Sequence, residues 1–138
     1  MALILDSSVL VAGERGSLDL AALLDHAGAE AVAMAAITAS ELLLGYHRAT
    51  TPGMRARRGA FVEALLASIP VLPFGVPEAR RHAELWAGLL QAGTMIGPHD
   101  LLIAATALAR GDGVATLNRS EFGRIAGLRL VELGRFMK

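Results

Sequence analysis

The sequence predicts an α/β fold, a three-layer α/β/α sandwich with a central, mainly parallel sheet of four or five strands. Short apolar segments alternate with segments of helical spacing, which is typical of a parallel sheet covered by helices. Hydrophobic residues make up 54% of the chain, which suits a sheet buried on both faces as well as an apolar surface kept for a partner. The length of 138 residues, without linker or repeat, predicts one domain over residues 1–138.

The predicted strands are short apolar runs. The first ends at Asp6, and the third contains two prolines, which favour a short strand at the edge of the sheet. The last has alternating character. In chain order the runs cover residues 2–5, 31–37, 69–74, 113–117 and 128–133.

The predicted helices begin at capping residues or prolines and end near glycines. Ser17 is the expected N-cap of the first, and Thr38 that of the second. Thr38 and Glu41 match a capping box, in which Glu41 would bond back to the Thr38 amide. The helices cover about residues 17–26, 38–48, 55–67, 77–93, 98–110 and 121–125.

The amino-acid composition restricts the kinds of metal site and of charged surface that the chain can form. The chain has no cysteine, so any metal must be held by oxygen or imidazole ligands, and carboxylates favour Mg²⁺ or Mn²⁺. The net charge is zero, so the chain as a whole does not attract nucleic acid. Lys138 is the only lysine, and the arginine clusters at 55–58 and 80–81 are interpreted mainly as solvated helix faces.

The sequence lacks the signals of several other classes of protein. No apolar run approaches 18 residues, and the N-terminus has no basic region before an apolar one. We therefore expect no membrane span, no signal peptide and a cytoplasmic location. Glycine-rich phosphate loops and a Gly-x-Ser-x-Gly elbow are also missing from the sequence.

Four polar residues are predicted to lie at one edge of the sheet. Asp6 ends the first strand, and Asn118 follows the fourth. Glu41 and Asp100 are expected in the first turns of the helices opened by Thr38 and Pro98. Because sites in open α/β sheets form at the carboxyl ends of the strands, we expect these side chains to meet there.

Three clustered carboxylates would raise one another's pKa, and a divalent cation removes that conflict. Such a cation can activate a water and stabilise charge on phosphate oxygens. Because Mg²⁺ often contacts only one or two carboxylates, we expect Asp6 and Asp100 to touch it. Glu41 would bind directly or through water, orient the attacking water, or act as a base.

Each acid also has an ordinary structural interpretation. Asp6 could be a turn residue, Glu41 a helix cap, and Asp100 a partner of its helix dipole. The prediction of a site depends on the three acids coinciding at one edge. The hydroxyl of Ser7 or its neighbour could bond a carboxylate or a scissile phosphate, and Thr116 is a weaker candidate of the same kind.

Four segments resemble PIN domains, in order and over nearly the whole chain. They are Leu-Ile-Leu-Asp6-Ser7-Ser8-Val-Leu, Ile37-Thr38-Ala39-Ser40-Glu41-Leu-Leu-Leu-Gly45, Asp100-Leu-Leu-Ile-Ala-Ala-Thr-Ala-Leu-Ala and Thr116-Leu-Asn118-Arg-Ser-Glu121-Phe122. The sequence is most similar in size and motifs to the VapC-type toxins of bacterial toxin–antitoxin modules.

The resemblance implies a PIN-like fold and a Mg²⁺- or Mn²⁺-dependent endoribonuclease that cleaves tRNA or ribosomal RNA with a metal-activated water. It also implies a homodimer and a cognate antitoxin that covers the active-site groove. The implied site residues are Asp6, Glu41, Asp100 and Asn118.

The sequence departs from the family at Asn118, where the family often has aspartate. An amide can hydrogen-bond but brings no charge, and Glu121 could compensate if its side chain reaches back. Two alternatives stay open. One is a degenerate, non-catalytic PIN module that binds RNA or protein, and the other is a PIN-fold nuclease that acts on structured DNA.

Overall fold

A four-stranded parallel sheet forms the centre of the molecule, whose computed structural model describes residues 2–28 and 31–138. The strands are β1 (Leu3–Leu5), β2 (Val32–Ala35), β3 (Val71–Leu72) and β4 (Gly113–Ala115), in the spatial order β3-β2-β1-β4. All three strand pairs are parallel, and Ile4 of β1 lies between Ala33 and Val114. The predicted α/β architecture is confirmed.

Seven α-helices and one 3₁₀ helix are formed by the described residues. They are α1 (Ser7–Arg15), α2 (Leu20–Ala27), α3 (Ala36–His47), α4 (Pro52–Ser68), α5 (Val76–Ala92), α6 (Pro98–Arg110), α7 (Arg119–Phe122) and the 3₁₀ helix Gly134–Phe136. None of these helices is long and apolar enough to cross a membrane.

Alternate residues of β1 face two separate cores. Leu3 and Leu5 pack into a cluster with residues of α1–α4, whereas Ile4 packs with residues of α5–α7. All three residues are buried, because helices cover both faces of the sheet. This two-sided burial explains why β1 reads as a continuous apolar run and not as an alternating one.

One helix was not predicted, and another begins later than predicted. Asp6 has extended backbone angles, and the chain enters α1 at the next residue, burying Val9 and Leu10. The N-cap of α2 is Asp19, whose side chain accepts from the Ala22 amide at 3.0 Å, so the prediction for Ser17 was wrong. The Ser17 hydroxyl instead donates to the Ala12 carbonyl.

The predicted capping box at Thr38 was also wrong. β2 runs directly into α3, which begins at Ala36 after the extended residue Ala35. Thr38 is therefore inside the helix, with its hydroxyl buried and unpartnered. Glu41 consequently lies in the second turn of α3, and its side chain is free of any capping role.

The remaining elements are found near their predicted positions, but α4 begins at Pro52, three residues earlier than predicted. β3 is a two-residue strand at the sheet edge, as its prolines predict, and α6 ends before Gly111, whose φ of 72° favours glycine. The predicted strand at 128–133 is reduced to a single parallel bridge between Leu130 and Val114. The short helix α7 begins at Arg119, two residues earlier than predicted.

Phe122 provides a test of the core beneath α6. Its side chain is fully buried, so Phe122→Ala should lower the free energy of unfolding by about 3–5 kcal/mol in urea titrations. Leu90→Ala is the control, because Leu90 is 60% exposed and its loss should cost below about 1 kcal/mol. Equal effects of the two changes would contradict this description of the core.

Candidate active site

The four predicted site residues meet at the carboxyl edge of the sheet. Asp6 follows β1, Asn118 follows β4, and Asp100 occupies the first turn of α6. The Asn118 amide nitrogen donates to Asp100 Oδ2 at 2.7 Å. The charge of Asp6 raises the pKa of both Glu41 and Asp100, so all three carboxylates are electrostatic neighbours.

Asp6 is the fixed centre of this group. It is 3% exposed, and its Oδ2 accepts hydrogen bonds from Thr116 Oγ1 at 2.7 Å and Ser8 Oγ at 2.8 Å. Each hydroxyl is itself oriented by a backbone amide, because Asn118 N donates to Thr116 and Leu117 N donates to Ser8. Two relays of amide, hydroxyl and carboxylate therefore set the rotation of the Asp6 side chain.

Asp100 is held by residues that follow β4. Besides the bond from Asn118 to Asp100, Asn118 Nδ2 lies 3.4 Å from Glu121 Oε2. Glu121 Oε2 also accepts from the Gly97 amide at 3.1 Å, just before α6 begins. Glu121 therefore does reach back toward the position where the family often has a fourth acid.

Glu41 faces the same edge from α3. Its Oε1 is buried and has no hydrogen-bond partner, and its Oε2 lies 3.6 Å from His99 Nδ1 on α6. An unpartnered buried carboxylate oxygen is costly, which indicates that a ligand completes this position. The sequence did not predict this contact between Glu41 and His99, because it depends on how α3 and α6 pack.

Burial and mutual repulsion shift the pKa values of these acids. Burial raises the pKa of Glu41, with a smaller contribution from Asp6, while His99 and Ser7 oppose the rise. Burial, the hydrogen bond with Glu121 and the charge of Asp6 raise the pKa of Asp100 to about 7. The hydrogen bond from Asp100 lowers the pKa of Glu121.

These residues are suited to a hard divalent cation. Carboxylate oxygens are the donors that Mg²⁺ and Mn²⁺ prefer, and a cation would relieve both the orphaned Glu41 oxygen and the repulsion that raises the pKa of Asp100. Within residues 2–28 and 31–138, no three acidic or histidine side chains already form a metal-binding group. Asp100 Oδ2 accepts a hydrogen bond from Asn118. A cation at this oxygen would either replace that hydrogen bond or share the oxygen with it.

The serine and threonine hydroxyls near the acids interact with different carboxylates. Ser8, which sequence reasoning weighed only alongside Ser7, bonds the Asp6 carboxylate. Ser7 stabilises the carboxylate form of Glu41. Thr116 is fully buried against Asp6, so its hydroxyl positions that side chain and is not open to a substrate.

Comparisons with known proteins agree with this geometry. The PIN domain family matches residues 3–128. Ribonuclease VapC1 of Rickettsia felis is 36% identical over 131 residues, which cover 95% of this chain and 96% of that protein. The tRNA(fMet)-specific endonuclease VapC of Salmonella typhimurium is 35% identical over 97 residues, covering 70% of this chain and 71% of that protein.

A solved structure gives the same result. A chain in the crystal structure of VapBC2 from Rickettsia felis, bound to a promoter DNA fragment, superposes with a TM-score of 0.85. The two chains are 26% identical, and the match covers 95% of this chain and 98% of that one. This chain belongs to the PIN-domain family, and within it to the VapC ribonucleases. The resemblance seen in the sequence motifs is thus confirmed.

The raised pKa of Asp100 predicts how pH affects stability without metal. Between its ordinary value of 3.8 and about 7, the folded protein binds more protons at Asp100 than the unfolded chain does. Stability therefore falls as pH rises through this interval. In chelator, Asp100→Asn should raise the melting temperature by about 2–4 °C near pH 8 and change it little near pH 4. A stabilisation of equal size at both pH values would contradict a raised pKa.

Proposed function

We propose that this chain is the toxin of a toxin–antitoxin module and hydrolyses phosphodiester bonds of RNA with the help of Mg²⁺ or Mn²⁺. The observation that carries the proposal is the buried carboxylate of Asp6, fixed by Thr116 and Ser8 beside Asp100 and Glu41. The VapC relatives are ribonucleases, and one is specific for tRNA(fMet). They support an endoribonuclease acting on tRNA or ribosomal RNA.

Asp6 and Asp100 are the proposed metal ligands, with Glu41 contributing directly or through water. When bound, the ion lowers the pKa of a water and stabilises negative charge on the phosphate oxygens. The protein itself positions the metal ligands, since Thr116 and Ser8 hold Asp6 and Asn118 holds Asp100. Phosphodiester hydrolysis requires little more from a protein than such orientation.

Glu41 is the proposed proton acceptor. Its Oε1 is buried without a partner, and burial raises its pKa toward the range in which a general base works well at neutral pH. His99 keeps Oε2 oriented across the gap between α3 and α6. Glu41 Oε1 is thus left to orient the attacking water and to take its proton.

An antitoxin and a second copy of the chain are the proposed protein partners. The matched structure is a VapBC complex, which supports an antitoxin. Exposed apolar side chains on and near α5, including Val76, Trp86 and Leu90, suit burial in a protein interface. The apolar composition agrees with both interfaces.

Removing the proposed metal ligands tests the function. Asp6→Asn and Asp100→Asn should each slow RNA cleavage more than about 1,000-fold, since metal stabilisation of the transition state is worth several kcal/mol. Circular dichroism should show both variants folded. Asp25→Asn alters an exposed acid on α2 and should cleave RNA at the wild-type rate. Chelator should abolish cleavage by the wild-type protein.

The substrates are tRNA, ribosomal RNA and flap DNA, digested side by side with Mg²⁺ and with Mn²⁺. Cleavage that persists in both variants or in chelator would overturn the proposal. Binding of RNA without turnover at either ion would identify a non-catalytic module, and preferential cutting of the flap would identify a DNA nuclease.

Asn118 offers a separate test of the metal site. Asn118→Asp replaces an amide donor to Asp100 with a fourth negative charge. We expect lower stability in chelator, because the two carboxylates repel, and about tenfold tighter Mn²⁺ binding by calorimetry. Asn118→Ala is the control, since it removes the same hydrogen bond without adding charge. Equal Mn²⁺ affinities of the two variants would argue against a metal site here.

A further inference from the structure

A groove between α1, α3 and α4 is lined in part by Glu41, one of the acids of the candidate active site. Its volume is about 460 Å³, within the range of ligand-binding pockets. Glu41 lines it together with Arg15 at the end of α1 and Arg48 just after α3. A neighbouring cavity shares Arg15 and adds Arg57 of α4, so the groove continues along a basic wall.

The arginines along this groove have two different roles. Arg58 Nη1 donates to the Gly45 carbonyl at 2.9 Å, and Arg55 Nη2 donates to the Ala49 carbonyl at 3.1 Å. Both bonds tie α4 to the end of α3 and its following turn, which is a structural role. The side chains of Arg15, Arg48 and Arg57 are exposed and form no hydrogen bond or ion pair with any described residue.

We propose that Arg15 and Arg48 bind the phosphate backbone of the single-stranded RNA that enters or leaves the active centre through this groove, an inference that rests on the proposed ribonuclease function. Glu41 belongs both to the acid cluster and to the lining of the groove, so the groove adjoins the active centre. The planar, permanently charged guanidinium forms paired contacts with phosphate.

Charge favours RNA over a protein segment as the occupant. Arg15, Arg48, Arg57 and Arg58 outnumber the two acids of the walls, Glu14 and Glu41, although the chain as a whole is neutral. The basic residues are therefore concentrated along a groove that adjoins the active centre. An ordinary solvated helix face would not place three unpaired arginines from α1, the end of α3 and α4 around one groove.

The test measures RNA binding apart from cleavage. In the Asp6→Asn background, a fluorescent 12-nucleotide single-stranded RNA is titrated by anisotropy over a range of KCl concentrations. Arg15→Gln and Arg48→Gln should each weaken binding about three- to fivefold, and the double variant about tenfold or more. The slope of log K against log[KCl] should fall by about 0.7 for each lost phosphate contact.

Arg80→Gln/Arg81→Gln is the matched control, because it removes the same charge from α5, outside the groove. It should leave RNA affinity within about twofold of its parent, because Arg80 and Arg81 lie outside the groove and Arg81 is already paired with Glu84 at 3.8 Å. In the active protein, Arg15→Gln/Arg48→Gln should raise KM for long RNA about tenfold with kcat nearly unchanged. Neither arginine side chain forms a hydrogen bond or ion pair with the described residues, so the melting temperature should change little.

The outcomes separate this proposal from the proposed function. Loss of RNA binding in the groove variant would support the groove even if the wild-type chain cleaved nothing. Unchanged affinity and salt slope would overturn it even if cleavage proceeded as proposed. An undecaglutamate peptide, close to the RNA in charge, is the remaining probe. If it bound as tightly as the RNA and with the same arginine dependence, the arginines would bind any polyanion and the assignment to RNA would be overturned.

Discussion

The site depends on the hydrogen bonds that hold the buried carboxylate of Asp6. Its partners Ser8 and Thr116 lie 108 residues apart in sequence and meet only because β1 pairs with β4. The register sets Leu5 beside Ala115, so the chain leaves both strands at the same level and delivers Asp6 and Thr116 side by side. The pairing of the two buried strands thereby determines how the charged side chain of Asp6 is held. A slip in that pairing would leave the carboxylate buried without its donors.

The second constraint is charge. Asp6, Glu41 and Asp100 are gathered where water is partly excluded, and burial raises the pKa of Glu41 and Asp100. Asn118 relieves part of this repulsion by donating to Asp100, whereas the hydrogen bond with Glu121 favours the protonated form of Asp100. An asparagine at this corner therefore lets the metal-free protein hold Asp100 in place. An aspartate there would add repulsion until a cation arrived.

The helices that carry the acids also shape the approach to them. α1 and α3 both begin at the carboxyl edge of the sheet, and α4 packs against α3, held to the end of α3 and its following turn by Arg55 and Arg58. The groove between them is a consequence of packing three helices on one face of a narrow sheet. The unpaired arginines on its walls come from separate segments, so their association exists only in the folded chain.

Local sequence determined the fold class, the edge position of β3, the ends of α5 and α6, and the choice of Asp6, Glu41, Asp100 and Asn118, because apolar runs, prolines and glycines act on the backbone within a few residues. Tertiary structure decided the rest. Ala36 begins α3 because β2 must turn directly into a helix that covers the sheet, and this overrode the capping signal at Thr38 and brought Glu41 toward His99. Whether Ser8 or Ser7 would hold Asp6, and whether Glu121 would reach back, depended on distances across the sheet edge that no local pattern contains.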